Sequence, residues 1–372
     1  TEGVAEEVGK AFGTYIGGMG KSLVVGRDVR LSGETLQRAL TEGLLSTGCR
    51  VVDIGVVPTP VFYFTIAHYA KDGGVMVTAS HNPAEWNGFK LAREKGFICA
   101  EGMGMEKIKD IVFNRRFKLA TRGKTEKYDG ALADYANFVL GKIEVERGLR
   151  VAMDLGNGAC ALIAPKLFED AGAEVVAINA EPDGTFPAHE PEPTEETLRQ
   201  LKEVVVREGA DFGVGYDGDG DRALFVDDKG RVIPGDMTLI VLAEYYLKKQ
   251  RGAKVVYEIS CSSSVEEAIK AHGGKPLVSR VGHAYIMDKM IQEGAVLGGE
   301  VSSHLYFADI YGFDDALYAG LKLAEILSKT DKRLSEMVDS IPRYPSTPVR
   351  NYDCPDEKKF KVVEKLTEEF KE

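Results

Sequence analysis

The chain of 372 residues has 47 basic and 58 acidic side chains, so its formal net charge is −11 at pH 7. This acidic balance disfavours non-specific nucleic-acid binding, which needs a basic surface, although a local basic pocket can still bind a small anion. Hydrophobic residues make up 44% of the chain, and no apolar run is long enough to cross a bilayer. The length exceeds that of one compact core and predicts about two to four domains.

The cysteines are scattered along the chain, and no two of them have the spacing of a metal site. We therefore expect reduced, mostly buried thiols and a cytoplasmic location. Neither a nucleic-acid partner nor a membrane partner is expected. The sequence leaves the oligomeric state open, a homo-oligomer included.

The first predicted elements, in chain order, are an apolar strand at residues 22–28 and an amphipathic helix at residues 32–47. A second short apolar strand follows at residues 74–77. Strands without polar alternation are typical of sheets that are covered by helices on both faces. This part of the chain therefore predicts an α/β unit.

The run TASHNP at residues 78–83 comes directly after the strand at residues 74–77. Small residues precede Ser80 and Pro83 favours a turn, so the hydroxyl group is delivered at a strand end on a tight loop. Such a loop can hold the hydroxyl group rigidly among backbone N–H groups, as a residue that carries a phosphoryl group requires. An ordinary polar turn is the alternative that this run leaves open.

The pattern of strand, polar loop and helix recurs twice. It is found at residues 150–158 with a helix at residues 161–171, and at residues 254–260 with a helix at residues 264–271. Three similar α/β units are therefore predicted, with ligands bound at the carboxyl ends of their strands. Between these repeats, Thr194 is predicted to begin a helix after a loop rich in proline and acidic residues.

Three carboxylates and an arginine follow the strand-like residues 211–216 in the run DGDGDR, which begins at Asp217. Asp217, Asp219 and Asp221 alternate with glycines that let the backbone fold tightly, so their oxygens can converge on one hard cation such as Mg²⁺. An exposed acidic turn explains the run poorly, because three unpaired carboxylates repel one another. An EF-hand is excluded because Arg222 stands where that loop requires glycine. Arg222 can instead bind phosphate or stabilise transferring charge.

The run GGEVSSH, which ends at His304, follows an apolar stretch at residues 295–297. Glu300, Ser302 and His304 alternate, so an extended loop would present all three on one side. An acceptor, a hydroxyl group and an imidazole together suit the hydroxyl groups of a sugar. A strand edge with outward polar residues explains the same pattern equally well.

Three further candidates stand near these runs. Lys90 follows the Ser80 loop after an Asn-Gly turn that could fold it back toward that loop. Arg280 and His283 lie on either side of a glycine, where their side chains could contact a phosphate group. A solvated lysine and a satisfied loop histidine are the structural alternatives.

The C-terminal part of the sequence predicts a linker that is followed by one helix. Residues 342–348 are rich in proline and predict a linker. Residues 358–371 predict an amphipathic helix whose aromatic and aliphatic residues recur in phase.

Three motifs, in this order, resemble those of the α-D-phosphohexomutase family. They are TASHNP at residues 78–83, DGDGDR at residues 217–222 and GEVSSH at residues 299–304, and VGRD at residues 25–28 and PDGTFP at residues 182–187 also look like family segments. The resemblance covers most of the chain and implies three similar α/β/α sandwich domains with mixed sheets, plus the start of a fourth α+β domain. The implied domains are residues 1–145 with the phosphoserine loop, 146–245 with the metal loop, 246–341 with the sugar loop, and 342–372 with the linker and the first helix of the fourth domain.

The resemblance also implies the catalytic and metal-binding residues. Ser80 would be the phosphoserine that donates and reclaims the phosphoryl group. Arg222 would stabilise that group during transfer, and Lys90 and His81 would handle the proton of the substrate hydroxyl. Mg²⁺ would be bound by a phosphate oxygen on Ser80 and by Asp217, Asp219 and Asp221.

The substrate-binding residues that the resemblance implies lie in the third unit. Glu300, Ser302 and His304 would grip the 3- and 4-hydroxyl groups of the sugar. Arg280 and His283 would help to hold the distal phosphate.

The implied activity is an isomerase reaction of the phosphomannomutase/phosphoglucomutase type. The enzyme would interconvert the 1-phosphate and the 6-phosphate of mannose or glucose. The reaction would go through a hexose 1,6-bisphosphate, which would also be the activator. Phosphoglucosamine mutase is the alternative within the family. Two alternatives of other classes are a haloacid-dehalogenase-like phosphatase, with Asp217 as the covalent acceptor, and a non-catalytic sugar-phosphate-binding protein.

The sequence departs from the family pattern in three places. The family's opening loop with glycine and arginine is not included in it. Ser303 adds bulk where the family has a glycine, at a point where the backbone must bend. The Ser/Thr-rich phosphate-binding loop of a fourth domain does not occur after Pro342, so we expect either that the chain continues past Glu372 or that the enzyme is weakened.

Overall fold

A computed structural model describes residues 1–345 and 352–371. The chain divides into two units, Thr1–Pro342 and Arg343–Glu372. The first unit is built on three sheets, whereas the second contains one helix that confirms the predicted C-terminal helix. Residues 346–348 of the predicted linker lie outside the described residues.

The first sheet has five strands, β1 (Ser22–Arg27), β2 (Arg50–Val56), β3 (Gly73–Val77), β4 (Phe89–Arg93) and β5 (Thr125–Lys127). Their order is β4-β3-β1-β2-β5, and only β4 runs antiparallel to its neighbour. The helices of this part of the chain are α1 (Glu2–Ile16), α2 (Gly33–Ser46), α3 (Thr59–His68), α4 (Met105–Phe113) and α5 (Ala131–Leu140).

Helices cover both faces of this first sheet. Leu23 and Val25 of β1 share a core cluster with Leu40 of α2. Val24, which lies between them in β1, belongs to a different core cluster, together with Phe62 of α3. Because successive side chains of a strand point to opposite faces, an uninterrupted apolar strand can contact a helix on each side.

The second sheet has the strands β6 (Arg150–Asp154), β7 (Glu174–Ile178), β8 (Phe212–Tyr216), β9 (Ala223–Asp227) and β10 (Val232–Ile233), in the order β10-β9-β8-β6-β7. Its pairs from β8 through β9 to β10 are antiparallel and the others are parallel. The helices here are α6 (Ala164–Asp170) and α7 (Arg199–Glu208).

The third sheet has the strands β11 (Lys254–Glu258), β12 (Lys275–Ser279), β13 (Leu297–Gly299) and β14 (Leu305–Phe307), in the order β12-β11-β13-β14. Only β13 and β14 pair antiparallel. The remaining helices are α8 (Gly235–Lys249), α9 (Ser263–Ala271), α10 (His283–Glu293), α11 (Ala316–Ser328), α12 (Leu334–Asp339) and, in the second unit, α13 (Asp356–Glu369). Among the described helices, none combines the length and the apolar character that a membrane crossing requires.

These mixed sheets confirm the predicted α/β class, but two local predictions were wrong. The helix predicted at residues 161–171 is broken into a 3₁₀ turn, Ala159–Leu162, and α6, because Pro165 lacks an N–H donor and suits only the first turn of a helix. The Thr194 hydroxyl accepts from the N–H of Thr197 at 3.1 Å, as a helix cap would, yet it closes only a turn and α7 begins at Arg199.

The predicted domain boundaries remain predictions. The predicted boundary between residues 245 and 246 falls inside α8. Buried residues continue along this helix as far as Leu247. An apolar helix of this length is one packing unit, so a boundary cannot be read from its charged C-terminal end alone.

Candidate active site

Loops at the carboxyl ends of strands from all three sheets meet at one place. The Ser80 loop follows β3, the DGDGDR loop follows β8, and the turn before His304 follows β13. The Ser80 hydroxyl donates to Oδ2 of Asp217 at 2.8 Å, and Nε of Arg222 donates to Nε2 of His304 at 2.8 Å. The three motifs therefore share one site, at the sheet edges where α/β folds bind ligands.

Ser80 is held in one orientation by its loop. Its φ of 50° lies in the left-handed region, which costs a residue with a Cβ roughly 1–2 kcal/mol. The N–H of Ser80 donates to Oγ1 of Thr78 at 2.8 Å, and the residue is only 9% exposed. Strain of this kind persists only where surrounding contacts impose it, and it is common at functional sites.

The three aspartates of the DGDGDR loop form a buried cluster. Each is at most 1% exposed, and one oxygen of each lies within 4.8 Å of the others. Among the described residues, Oδ1 of Asp219 and Oδ1 of Asp221 are buried without a hydrogen-bond partner. These open oxygens fit a hard divalent cation, which takes carboxylate ligands. Burial, and then the charges of Asp221 and Asp219, raise the pKa of Asp217 well above its usual range.

Lys90 lies against this cluster because it belongs to strand β4, and not because of the Asn-Gly turn that was expected to fold it back toward the Ser80 loop. Its Nζ is 2.7 Å from Oδ2 of Asp219 and also contacts Asp221. Burial would lower the pKa of Lys90, but the two carboxylates outweigh burial and raise that pKa above its ordinary value. For Asp221, the charge of Lys90 outweighs burial, so the pKa of Asp221 is lowered. Lys90 is therefore a fixed positive charge that can neutralise a phosphate group.

His81 is placed differently from Lys90. Its Nδ1 lies 3.3 Å from Oε1 of Glu192, and its side chain is 31% exposed. Burial and the nearby Arg222 charge lower the pKa of His81. A histidine of this kind is mostly neutral near pH 7, so it can accept a proton from a substrate hydroxyl.

Arg222, His304 and Asp314 form a chain of hydrogen bonds. Since Arg222 donates to Nε2 of His304, the imidazole proton lies on Nδ1, which is 2.6 Å from Oδ2 of Asp314. Asp314 thus fixes the orientation of the imidazole and, through it, that of Arg222.

The turn after β13 differs from the extended loop that was predicted. The N–H of Ser303 donates to the carbonyl of Glu300 at 3.1 Å, and Ser303 has a φ of 69°. Glu300 is 3% exposed and accepts from Tyr306 at 2.7 Å and from Ser302 at 3.0 Å. The prediction that one side of an extended loop presents three side chains was wrong, because a left-handed residue closes the turn: Ser302 is exposed while Glu300 and His304 are buried.

His283 joins the site, whereas Arg280 does not contact its residues. Nδ1 of His283 is 4.0 Å from Oδ2 of Asp314, and its ring centroid is 5.8 Å from that of His304. Arg280 is exposed and its guanidinium lies 3.4 Å from the ring centroid of Tyr285. Within the part of the chain that the structure describes, no contact joins Arg280 to the other predicted residues.

Sequence reasoning missed several residues that support the cluster. Oδ2 of Asp28 accepts from the Thr78 hydroxyl at 2.8 Å, and the hydroxyl of Thr59 donates to Asp219 at 2.7 Å. Asp28 follows β1, which is paired in parallel with β3. Its place at the same sheet edge was the available signal, whereas nothing near Asp314 in the sequence marks it as a partner of His304.

Comparisons with known proteins agree with this arrangement. Family models described as phosphoglucomutase/phosphomannomutase alpha/beta/alpha domains I, II and III match residues 1–119, 132–230 and 234–344. A phosphomannomutase/phosphoglucomutase of Pseudomonas putida is 37% identical in an alignment that covers 96% of this chain and 77% of that protein. A probable phosphoglucosamine mutase of Methanosarcina barkeri is 36% identical over 98% of this chain and 82% of that protein.

A solved structure gives the same result. A phosphoglucomutase/phosphomannomutase family protein from Burkholderia thailandensis superposes with a TM-score of 0.87 at 36% identity. The match covers 94% of this chain and 77% of that one.

Proposed function

Because the chain belongs to the α-D-phosphohexomutase family, we propose that it is an isomerase that moves a phosphoryl group between the 1- and 6-oxygens of mannose or glucose phosphates. The observation that carries this proposal is the Ser80 hydroxyl, which is fixed on a strained loop and faces a buried cluster of three aspartates. A phosphoryl carrier needs such a rigid nucleophile beside a site that balances charge.

In the proposed reaction, phosphorylated Ser80 gives its phosphoryl group to the free hydroxyl of a hexose phosphate. The bond from phosphorus to the Ser80 oxygen breaks and the bond to the sugar oxygen forms. The proton of the sugar hydroxyl passes by way of His81 to the departing Ser80 oxygen, which becomes a hydroxyl group again. The resulting hexose 1,6-bisphosphate turns around in the site and returns its other phosphoryl group to Ser80. Lys90 and Arg222 neutralise the charge that spreads over the transferring oxygens.

The part of the chain built on the third sheet would bind the sugar. Glu300, Ser302 and His304 are proposed to hold the sugar hydroxyls, with Ser302 accessible and the other two fixed by Tyr306 and Asp314. His283 is placed to assist with the distal phosphate. Arg280 would do so only after leaving its stacking contact with Tyr285.

We assign Mg²⁺ to the aspartate cluster, where Asp217, Asp219, Asp221 and a phosphate oxygen on Ser80 would hold it. When bound, Mg²⁺ neutralises charge on the transferring phosphoryl group. A hexose 1,6-bisphosphate is the proposed activator, since it can phosphorylate Ser80 directly. A cytoplasmic location is also proposed, and it is supported by five cysteines that are all free.

Two observations bear on the alternatives. Relatives named as probable phosphoglucosamine mutases match at 36% identity, so glucosamine phosphate belongs in the substrate test. A haloacid-dehalogenase-like mechanism gives no role to Ser80, whereas the hydroxyl of Ser80 bonds directly to Asp217.

The test is a coupled assay with mannose 1-phosphate, glucose 1-phosphate and glucosamine 6-phosphate, each with Mg²⁺ and a trace of hexose 1,6-bisphosphate. We expect turnover of at least one sugar, which Ser80→Ala removes and the control Ser46→Ala retains. Full activity of Ser80→Ala would overturn the phosphoserine role. A wild-type protein that binds these sugars without turning any of them over would contradict the isomerase proposal.

A further inference from the structure

Arg30 is a buried residue that the proposed mechanism does not use. It lies between β1 and α2 and is 2% exposed. Its Nε donates to Oδ2 of Asp28 at 3.0 Å. Its two terminal nitrogens donate to four backbone carbonyls of one loop, those of Ser80 at 2.8 Å, Asn82 at 2.5 Å, Pro83 at 2.6 Å and Trp86 at 3.0 Å.

This set of acceptors matches the chemistry of a guanidinium group. Arginine has five N–H donors in a rigid planar fork, and Arg30 has five acceptors within 3.0 Å. A lysine ammonium group has three donors on a flexible stem and cannot reach all of them. Without the guanidinium, all four carbonyls of the Ser80 loop would lose this donor, and the carbonyl of Ser80 would lose it in a buried position, where an unpaired acceptor is costly.

Arg30 also contacts the segment between β7 and α7. Its guanidinium lies 5.1 Å from the ring centroid of Phe186, a buried residue of the run PDGTFP. A Cβ placed on Gly218, in the DGDGDR loop, would lie 3.4 Å from Cζ of Phe186 and 2.7 Å from the carbonyl oxygen of Ser80. Arg30 thus lies where the loop of Ser80 meets the loop of the aspartates.

We propose that Arg30 is a positioning residue, which aligns the Ser80 loop against the aspartate loop through these four carbonyls and Phe186. The inference rests on the proposed function, since it assumes that Ser80 carries the phosphoryl group. Arg30 itself contacts no reacting atom. Its loss should therefore affect the transfer step more than sugar binding, because the residues proposed to hold the sugar lie on other loops.

The first experiment compares Arg30→Lys with wild type and with Arg150→Lys in the coupled assay. Arg150 is a suitable control because it also binds a backbone carbonyl, that of Glu208 at 2.7 Å, but at the opposite end of a strand from the site. We expect Arg30→Lys to lower kcat by about 100-fold, as a small misplacement of reacting groups can do, with KM changed by less than about threefold. Arg150→Lys should keep both values.

The second measurement does not need turnover. Trp86 is the single tryptophan and belongs to the clamped loop, so its fluorescence anisotropy and the hydrogen exchange of the Ser80, Asn82 and Trp86 amides report on that loop. We expect faster exchange and lower anisotropy in Arg30→Lys, and a smaller effect in the same direction in Phe186→Leu, which removes only the ring contact.

The outcomes separate the two proposals. A wild-type protein without turnover would contradict the proposed function, yet a loosened loop in Arg30→Lys would still support the positioning role. Unchanged exchange and anisotropy at the loop, or a kcat loss that Arg150→Lys shares, would overturn the inference. If Arg30→Lys fails to fold, Phe186→Leu decides the question by the same readouts.

Discussion

Single side chains set the charge balance of the candidate site. Three aspartates with almost no exposure lie beside Lys90 and Arg222, so the site holds three potential negative charges against two positive ones. Burial, and then the charges of Asp221 and Asp219, raise the pKa of Asp217, whereas Lys90 overcomes burial at Asp221 and lowers the pKa of that carboxyl. Neighbouring carboxyl groups thus differ in proton affinity because the balance of burial and nearby charges differs at each of them.

A charged pair outside the aspartate cluster, His189 and Asp154, predicts that the stability of the protein depends on pH. Nε2 of His189 is 3.2 Å from Oδ2 of Asp154, and this contact raises the pKa of His189 above its ordinary value of 6.5. Since the folded state binds the proton more tightly, the stabilisation is complete below the unfolded pKa and is lost as the pH rises through the folded pKa.

We therefore expect His189→Gln to lower the thermal midpoint more at pH 5.5 than at pH 8.5. The measurement is a pair of thermal melts at each pH, for wild type and variant. His272→Gln is a matched control, because that histidine lies 3.9 Å from its nearest carboxylate. Equal losses at the two pH values would mean that the charged pair contributes nothing.

Secondary-structure elements meet at places where only small residues fit. Helices α1 and α2 pack so closely that a Cβ on Gly43 would lie 2.1 Å from the carbonyl oxygen of Glu6. The turn after β13 differs, because a residue with a Cβ, Ser303, occupies a left-handed backbone conformation there. A glycine at this position would avoid that strain, so Ser303 costs stability here.

Gly43→Ala should destabilise the fold by roughly 1–3 kcal/mol, because the new methyl group forces the two helices apart. Gly3→Ala is the control on α1, since its Cβ would meet nothing within 4 Å. That variant should be as stable as wild type or more so by about 0.5–1 kcal/mol, because alanine favours a helix over glycine. Chemical denaturation of both variants decides the matter, and equal stabilities would refute the close packing of α1 on α2.

At the level of the whole molecule, one core joins the three sheets. A single cluster of buried apolar side chains contains residues of β1, β6 and β11, for example Val24, Val151 and Val255. The loops of the candidate site add polar links, such as the Thr59 hydroxyl on Asp219 and the Arg222 side chain on His304. Residues Thr1–Pro342 therefore form one compact unit.

This continuity predicts that the unit Thr1–Pro342 unfolds in one cooperative step. Trp86 reports on the first sheet, and far-ultraviolet circular dichroism reports on all helices, so both thermal curves should have the same midpoint. A fluorescence transition well below the circular dichroism transition would show that the first sheet unfolds independently.

Local sequence patterns determined much of this protein. Apolar runs predicted β1, β3, β6 and β11, and the motifs placed Ser80 and the aspartates on loops at strand ends. These features arise from residues that are close together in the chain, through apolar periodicity and the backbone freedom of glycine. The sequence alone is therefore enough to predict them.

Only the tertiary structure decided which distant groups meet. The four loop carbonyls that Arg30 binds, the bond from Arg222 to His304 and the bond from Ser80 to Asp217 all depend on packing between elements far apart in sequence. The same holds for the pKa directions of Asp217 and Asp221, since burial and cation placement arise only when the sheets come together. A motif fixes which side chains stand on a loop, but the free energy of each charge depends on partners that folding supplies.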